Sequence, residues 1–350
     1  MSFPPNFVAT LAQLPDFDEV IDVRSPAEFA EDHIPGAINC PVLDDAERAR
    51  VGTIYKQVSP FEARKTGGAL VARNIARHLE EQFQDRPKSW KPLIYCWRGG
   101  QRSGAMTLVL QQVGWAARQL EGGYKGYRRE VLQRLETEPG RFRYRLLCGP
   151  TGSGKTALLH ALAAQGGQVL DLEGLARHKG SVLGVLPGER QPSQKAFESA
   201  LAVQLAAFDP LRPVFVEAES KTVGGLRLPP ALFAAMRAAE PVWLEAPFAA
   251  RVEFLLRDYD YFLKAPAWLG QRLDRLVELH GKEQVARWRA QVDAGAWEEL
   301  VSSLLADHYD PAYRKAAQRD FARRGEGMTV ALERLTGDAL TEAARGLLAV

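Results

Sequence analysis

Cysteine is scarce in this 350-residue chain: Cys40, Cys96 and Cys148 are its three. Three thiols cannot build a disulfide framework, and their spacing matches no zinc-ligand pattern. Long apolar runs are missing as well; no stretch approaches the roughly eighteen residues that a membrane-crossing helix needs. The amino terminus, Met1-Ser2-Phe3-Pro4-Pro5, has neither a basic region nor an extended apolar segment, so it does not read as a secretory signal. There is little excess of either charge: the net value is +2, and a nucleic-acid partner would have to be held by local basic patches. No internal repeat or low-complexity tract interrupts the chain. These absences point to a cytoplasmic protein without a membrane partner, in a compartment where a thiol stays reduced. A hydrophobic fraction of 46% and a charged fraction of 25% fit a soluble globular protein, and the length fits two domains.

What is present is an alternation of short apolar strands and helices. Glu19 to Arg24 reads as a strand ending in charge. Ser25-Pro26-Ala27-Glu28 follows as a helix start, with a cap residue, proline at the first helical position and a glutamate behind it. His33-Ile34-Pro35-Gly36-Ala37 is a turn into a strand around Ile38. One helix is expected over Lys65 to Gln84, with Leu70, Ile75 and Leu79 on its apolar stripe. Pro92 to Tyr95 is a buried strand that delivers Cys96 into a loop, and Ser103 to Val113 is the helix leaving it. A second α/β unit starts with the strand Arg143–Cys148 and the helix Thr156–Ala164. Further strands are expected at Val169–Leu172, Pro213–Glu217 and Val242–Glu245, and from Pro247 the pattern is mainly helical. The linker-like stretch Glu136-Thr137-Glu138-Pro139-Gly140 places the boundary between residues 1–137 and 138–350.

Two loops hold the chemistry. In the first, Cys96-Trp97-Arg98-Gly99-Gly100-Gln101-Arg102-Ser103, a thiol sits between a strand and a helix in a turn rich in glycine and arginine. Backbone N–H groups of such a turn point inward and can stabilise a thiolate, a persulfide or an oxyanion. Arg98 and Arg102 are expected to favour the thiolate and to hold an incoming anion. The plainer alternative is a buried structural cysteine beside a turn. In the second loop, Gly149-Pro150-Thr151-Gly152-Ser153-Gly154-Lys155-Thr156 satisfies every fixed position of a phosphate-binding loop. Its glycines let N–H groups wrap phosphate oxygens, Lys155 adds a point charge, and Thr156 can reach Mg²⁺ if that ion is used. A nucleotide hydrolase usually has an aspartate after a hydrophobic strand. Here the strand ends in Glu217-Ala218-Glu219-Ser220, so Glu217 or Glu219 can substitute, or can instead orient basic residues or a substrate hydroxyl.

The ordered set Ile21-Asp22-Val23-Arg24-Ser25-Pro26-Ala27-Glu28-Phe29, His33 to Ala37, the Cys96 loop and Leu120-Glu121-Gly122-Gly123-Tyr124 resembles the rhodanese family of sulfurtransferases over about residues 10 to 130. The resemblance implies that Cys96 carries a chalcogen as a persulfide or selenopersulfide, braced by Asp22 and Arg24. One departure from many single-domain rhodaneses is five residues rather than four between Cys96 and Arg102, a spacing shared with phosphatase relatives of the fold. The longer loop makes a wider anion cradle; Tyr95, where those phosphatases usually have histidine, argues against that activity.

A rhodanese-like unit followed by a phosphate-loop unit, with Gly180-Ser181-Val182-Leu183-Gly184, Gln191 to Glu198 and Val216 to Ser220, resembles the tRNA 2-selenouridine synthase family over nearly the whole chain. The fold implied is α/β: an N-terminal rhodanese-like domain with a parallel sheet, then a P-loop NTPase-like α/β domain with a largely helical C-terminal part. The family implies replacement of sulfur by selenium at the wobble uridine of tRNAs for Lys, Glu and Gln. It further implies geranylation of 2-thiouridine from geranyl diphosphate, then displacement of the S-geranyl group with selenium from selenophosphate, supplied by a partner enzyme. No tightly bound cofactor is expected. On this reading Cys96 carries selenium, while Gly149, Thr151, Gly152, Ser153, Gly154, Lys155 and Thr156 hold the diphosphate.

The RNA needs basic and stacking groups. Arg128, Arg129, Arg141 and Arg143 are the foremost candidates, and Arg314, Lys315, Arg319, Arg323 and Arg324 form a second cluster; a solvated helix face is the alternative for each. His178 and Lys179 read as surface residues or as anion contacts, and Trp243, Trp268, Trp288 and Trp297 as core or as walls of a groove for a geranyl chain. Two rivals stay open: an ATP-dependent RNA thiolation enzyme, and a small-molecule kinase fused to a sulfurtransferase or phosphatase-like module.

Overall fold

The computed structural model describes residues 7–320 and 327–349. They form two compact units, one comprising the chain as far as Arg134 together with Ser193–Ala200, the other Leu135–Pro192 with Leu201 onward.

In the first unit five short parallel strands form one sheet. They are β1 (Val8–Ala9), β2 (Glu19–Asp22), β3 (Ile38–Asn39), β4 (Pro92–Tyr95) and β5 (Arg118–Leu120), in the spatial order β1-β5-β4-β2-β3. Parallel sheets are covered on both faces, and two apolar clusters do this: Ile21, Ile94 and Met106 lie in one, Val20, Leu93 and Tyr95 in the other. The helix Pro26–Glu31 starts as its sequence indicates, with Glu28 Oε2 accepting the Ser25 N–H at 3.1 Å. A helix not expected from the sequence, Asp45–Gln57, precedes a longer one that begins earlier than expected, at Pro60, and runs to Glu81. The first has a weak apolar stripe and no buried residue, so periodicity could not reveal it.

The segment Ser193–Ala200 is bound into the first unit by polar contacts. Arg128 pairs with Glu198 and lies 3.8 Å from Asp32; Ser199 Oγ donates to Asp32 Oδ2 at 3.0 Å, and Lys195 pairs with Glu31 at 2.6 Å. Asp32 also accepts from Tyr124 Oη at 2.8 Å. Arg128, one of the RNA candidates, is thus engaged within the unit, its guanidinium largely enclosed beside two carboxylates.

In the second unit β6 (Tyr144–Cys148), β7 (Gln168–Leu170), β8 (Val214–Glu217), the small antiparallel hairpin β9 (Thr222–Val223) and β10 (Leu226–Arg227), β11 (Glu240–Glu245) and β12 (Met328–Ala331) follow in sequence. The main sheet is parallel in the order β12-β11-β6-β8-β7, with β6 at its centre. Leu172, read as strand, instead opens the helix Leu172–Ala176, because Asp171 caps it through the Gly174 N–H at 2.7 Å. Among the described residues after Pro247 the regular elements are helices except for β12, which returns to the sheet edge. Trp288 is fully buried in the helical core, with Trp268 and Trp297 packed around it.

Arg128→Ala strands Asp32 and Glu198 without their cation and should lower the stability of the first unit by about 3 kcal/mol. Arg129→Ala, at an exposed position, should stay within about 0.5 kcal/mol. Denaturant melts followed by Trp fluorescence compare the two.

Candidate functional site

Cys96 follows β4 at the sheet's carboxyl edge. Leu93 and Tyr95 face one core while Ile94 and Cys96 face the other, the alternation of a strand buried on both sides. The thiol is 3% exposed. Its sulfur accepts from the Gly100 N–H at 3.3 Å and from the Ser103 hydroxyl at 3.1 Å. Gln119 on β5 steadies that hydroxyl, with Nε2 2.6 Å from Ser103 Oγ and 2.9 Å from the Gly100 carbonyl. Behind the loop, Gly123 has φ +54°, and a Cβ there would strike the Cys96 carbonyl and the Gly99 amide. Its absence lets the Tyr124 and Lys125 N–H groups donate to the carbonyls of Cys96 and Trp97, both at 2.9 Å.

Arg102 is placed differently from the expectation. Its Nη1 donates to Glu28 Oε2 at 2.8 Å, so its charge is spent on a neighbouring carboxylate; Arg98 is exposed. Burial would raise the Glu28 pKa, but the hydrogen bond and charge of Arg102 outweigh it and hold the group below the ordinary carboxylate value. The groups that donate to sulfur are neutral. Asp22 and Arg24 form a fully buried bidentate pair at the next strand end, 2.6 Å at its shortest, and Arg24 stacks 3.8 Å over the Tyr124 ring. Tyr95 Oη accepts the Ile34 N–H at 3.1 Å, tying the strand before the cysteine to the His33–Gly36 turn.

The phosphate loop runs from β6 to the helix Lys155–Ala164. Gly149, Gly152 and Gly154 all have positive φ, and a Cβ at Gly149 would lie 2.9 Å from the Leu244 carbonyl. Lys155 Nζ donates to the carbonyls of Gly149 at 2.8 Å and Pro150 at 3.3 Å, which keeps the ammonium over the loop. Ser153 is buried. The Thr151 carbonyl is gripped by Arg251, through Nε at 2.9 Å and Nη2 at 2.7 Å, and Arg251 is in turn paired with Asp310 at 2.6 Å. No local motif marks Arg251, which reaches the loop only through the fold.

Glu217 and Glu219, at the end of β8, converge with Glu173, which follows β7; one oxygen from each lies within 4.8 Å of the others. Thr156 Oγ1 donates to Glu173 Oε2 at 3.3 Å. Glu217 is 1% exposed and its Oε1 has no hydrogen-bond partner. Burial, then the charges of Glu217 and Glu219, push Glu173 up to about 9. Burial, then Glu217, push Glu219 up to about 7, and burial raises Glu217 as well. An all-oxygen cluster with an unpartnered buried oxygen suits a hard divalent cation such as Mg²⁺, with Thr156 beside it. Glu173 was missed in the sequence, although an acid just past a strand, as at Glu217, was the available signal.

These groups line a cavity of about 450 Å³. A second cavity, about 70 Å³ and walled almost wholly by apolar side chains, shares Thr151, Leu255 and Tyr259 with it; Phe262, Trp297 and Leu304 are among its other walls. The RNA candidates are scattered. Arg129, Arg141 and Arg143 are exposed, and Arg143 bonds the Leu211 carbonyl at 3.1 Å. Arg141 and Arg143 precede β6 whereas the phosphate loop follows it, so the strand separates them by about 16 Å. Arg314 and Lys315 are exposed on a helix; Arg323, Arg324 and the side chain of Arg319 lie outside the described residues. No helix among the described residues is long and apolar enough to cross a membrane.

The Rhodanese-like domain family pattern matches residues 7–130, and that of the tRNA 2-selenouridine synthase AAA domain matches residues 142–269. A tRNA 2-selenouridine synthase of Nitrosomonas europaea is 34% identical over 324 residues, covering 88% of this chain and 82% of its own. Its counterpart in Alcanivorax borkumensis is 33% identical over 326 residues, covering 84% and 88%. That of Bdellovibrio bacteriovorus is 36% identical over 255 residues, covering 69% and 64%.

The carboxylate cluster makes stability fall with rising pH. Raised folded-state values favour the protonated cluster, so that contribution is complete below the ordinary value of 4.5 and is lost as pH rises through about 7 and about 9. Thermal melts of chelator-treated protein between those limits should decline, and Glu217→Gln should flatten the decline.

Proposed function

Because this chain belongs to the tRNA 2-selenouridine synthase family, we propose that it converts 2-thiouridine at the wobble position of tRNAs for Lys, Glu and Gln into 2-selenouridine by way of the S-geranyl nucleoside. Sulfide is a poor leaving group from the pyrimidine, whereas an alkylated sulfur departs as a thiol. The first step therefore couples the 2-thio sulfur to the allylic carbon of geranyl diphosphate, with the carbon–oxygen bond breaking and diphosphate leaving. In the second step the selenium of selenophosphate, provided by a partner enzyme and seated beside Cys96 in its loop, attacks C2 of the S-geranyl base; geranyl thiol leaves, and hydrolysis of the selenium–phosphorus bond releases phosphate and 2-selenouridine.

The observation that supports this reading is the pairing of cavities. A polar cavity built on the phosphate loop and an apolar one share the walls Thr151, Leu255 and Tyr259, which is the pairing that a diphosphate with a hydrocarbon tail requires. Lys155 and the loop amides receive the diphosphate, and Arg251 holds the loop's shape through the Thr151 carbonyl. Mg²⁺ held by Glu173, Glu217, Glu219 and Thr156 would neutralise charge on the departing diphosphate. Leu255, Phe262 and Leu304 keep water from the allylic end. ATP has no part in either step. At the other loop, the Gly100 N–H and the Ser103 hydroxyl converge on the Cys96 sulfur and provide neutral donors for the anionic selenium that docks there.

Incubation of 2-thiouridine tRNA with geranyl diphosphate and selenophosphate, without ATP, should yield 2-selenouridine by nucleoside mass spectrometry. Cys96→Ala should abolish it and let S-geranyl tRNA accumulate; full 2-selenouridine from that variant would refute selenium transfer at Cys96. Lys155→Ala should slow geranylation about 100-fold. Leu304→Trp, which fills the apolar cavity, should weaken geranyl diphosphate about tenfold while leaving inorganic diphosphate binding as it was.

A further inference from the structure

Three stretches that phosphate binding does not explain, Gly180–Gly184, Gln191 and Ser220 with the hairpin after it, meet around a third cavity of about 430 Å³. It shares His178, Gly180 and Ser181 with the phosphate cavity. Its floor is rigid: Gln191 accepts the Gly225 N–H at 2.8 Å and donates to the carbonyls of Val223 at 3.0 Å and Ala176 at 3.2 Å. Gly224, at φ +59°, lies so close to the Gln191 amide that a Cβ would collide with it, so the turn packs directly on that side chain. Exposed Arg177 and Arg275 stand on the cavity wall, with Glu189 the acid among its lining residues. Arg177 has φ +49° because it closes the helix Leu172–Ala176 as a left-handed C-cap, its N–H donating to the Gly174 carbonyl at 3.1 Å, and this turn sets Arg177 at the cavity wall.

The partition holds a second indication of a ligand. His178, read in the sequence as a surface residue or an anion contact, is 7% exposed, and its Nδ1 has no hydrogen-bond partner. A buried ring nitrogen without a partner is costly unless something supplies one.

We infer that this cavity seats the acceptor pyrimidine nucleotide of single-stranded RNA, with the base edge against His178 and the flanking phosphates on Arg177 and Arg275. The chemistry of the lining is that of nucleotide recognition: a backbone turn held in place by Gln191, one buried polar atom for a base edge, and cations for the backbone. The position follows from the reaction, since the acceptor sulfur must meet the allylic carbon beside the diphosphate, and the cavity is separated from the phosphate cavity only by His178, Gly180 and Ser181. This inference rests on the alkyl-transfer reading above, but its test does not need turnover.

The probe is a fluorescently labelled anticodon stem-loop carrying 2-thiouridine, titrated with the full-length protein, beside the same RNA with an abasic wobble position and the free mononucleotide. Arg275→Glu and Thr222→Trp, the latter narrowing the cavity, should each weaken stem-loop binding about tenfold. Inorganic diphosphate binding, measured calorimetrically on the same variants, should stay within about twofold and report an intact fold. His178→Phe should weaken the 2-thiouridine stem-loop but not the abasic one, which locates the base at that ring. Equal effects on both RNAs, or stem-loop affinities within about twofold of the parent for Arg275→Glu and Thr222→Trp, would overturn the inference. Free mononucleotide binding with no RNA preference would also overturn it, in favour of a small-molecule site. RNA binding through this cavity in a protein that forms no S-geranyl product would instead refute the alkyl-transfer reading and leave the nucleotide site standing.

Discussion

A parallel strand that stops inside a sheet leaves the amides that follow it without strand partners, and both reactive loops depend on this constraint. After β4 one of them, the Gly100 N–H, donates to the Cys96 sulfur; after β6 they belong to the phosphate loop. In each case the next element is a helix whose first N–H groups also face the loop, so both loops suit anions before any charged side chain is counted. The surrounding residues serve that geometry. Gly123 lets the backbone close behind Cys96, and Arg251 clasps the phosphate loop by a carbonyl.

Charge is then distributed in opposite ways. Around Cys96, Asp22 pairs with Arg24 and Glu28 with Arg102, while Arg98 is exposed. The sulfur is left to neutral donors, Gly100 and Ser103. Around the phosphate loop, three carboxylates gather near the Lys155 ammonium, and burial raises the pKa values of all three. Such an excess of buried acid is unstable when ionised and relaxes on protonation or cation binding. The two loops thus share a backbone design and differ in what their side chains ask of a ligand.

Most of the fold could be read locally. Strands around Val20, Ile94, Leu146 and Phe215 announced themselves by apolar runs of strand length, and the phosphate loop by fixed glycine spacing. The helix Asp45–Gln57 did not, because it has no buried face, nor did β12, because a lone strand after so many helical residues is recognisable only by its pairing with β11. Among the site residues, Cys96, Lys155, Thr156, Glu217 and Glu219 were legible. Glu173 and Arg251 were not, since what they do depends on strands and helices distant in sequence.

The sequence by itself determined the two reactive loops, the strands that carry them and the family to which the chain belongs, because these depend on residue types at short, fixed spacing. Tertiary structure alone decided what surrounds the loops. It set Arg128 against Glu198 and Asp32, and Arg102 against Glu28. It also set an apolar cavity against the phosphate loop and buried His178 between two polar ones. The reason is physical: hydrogen bonding along the backbone is local, whereas burial and ion pairing join residues far apart in the chain, which no spacing within a single stretch encodes.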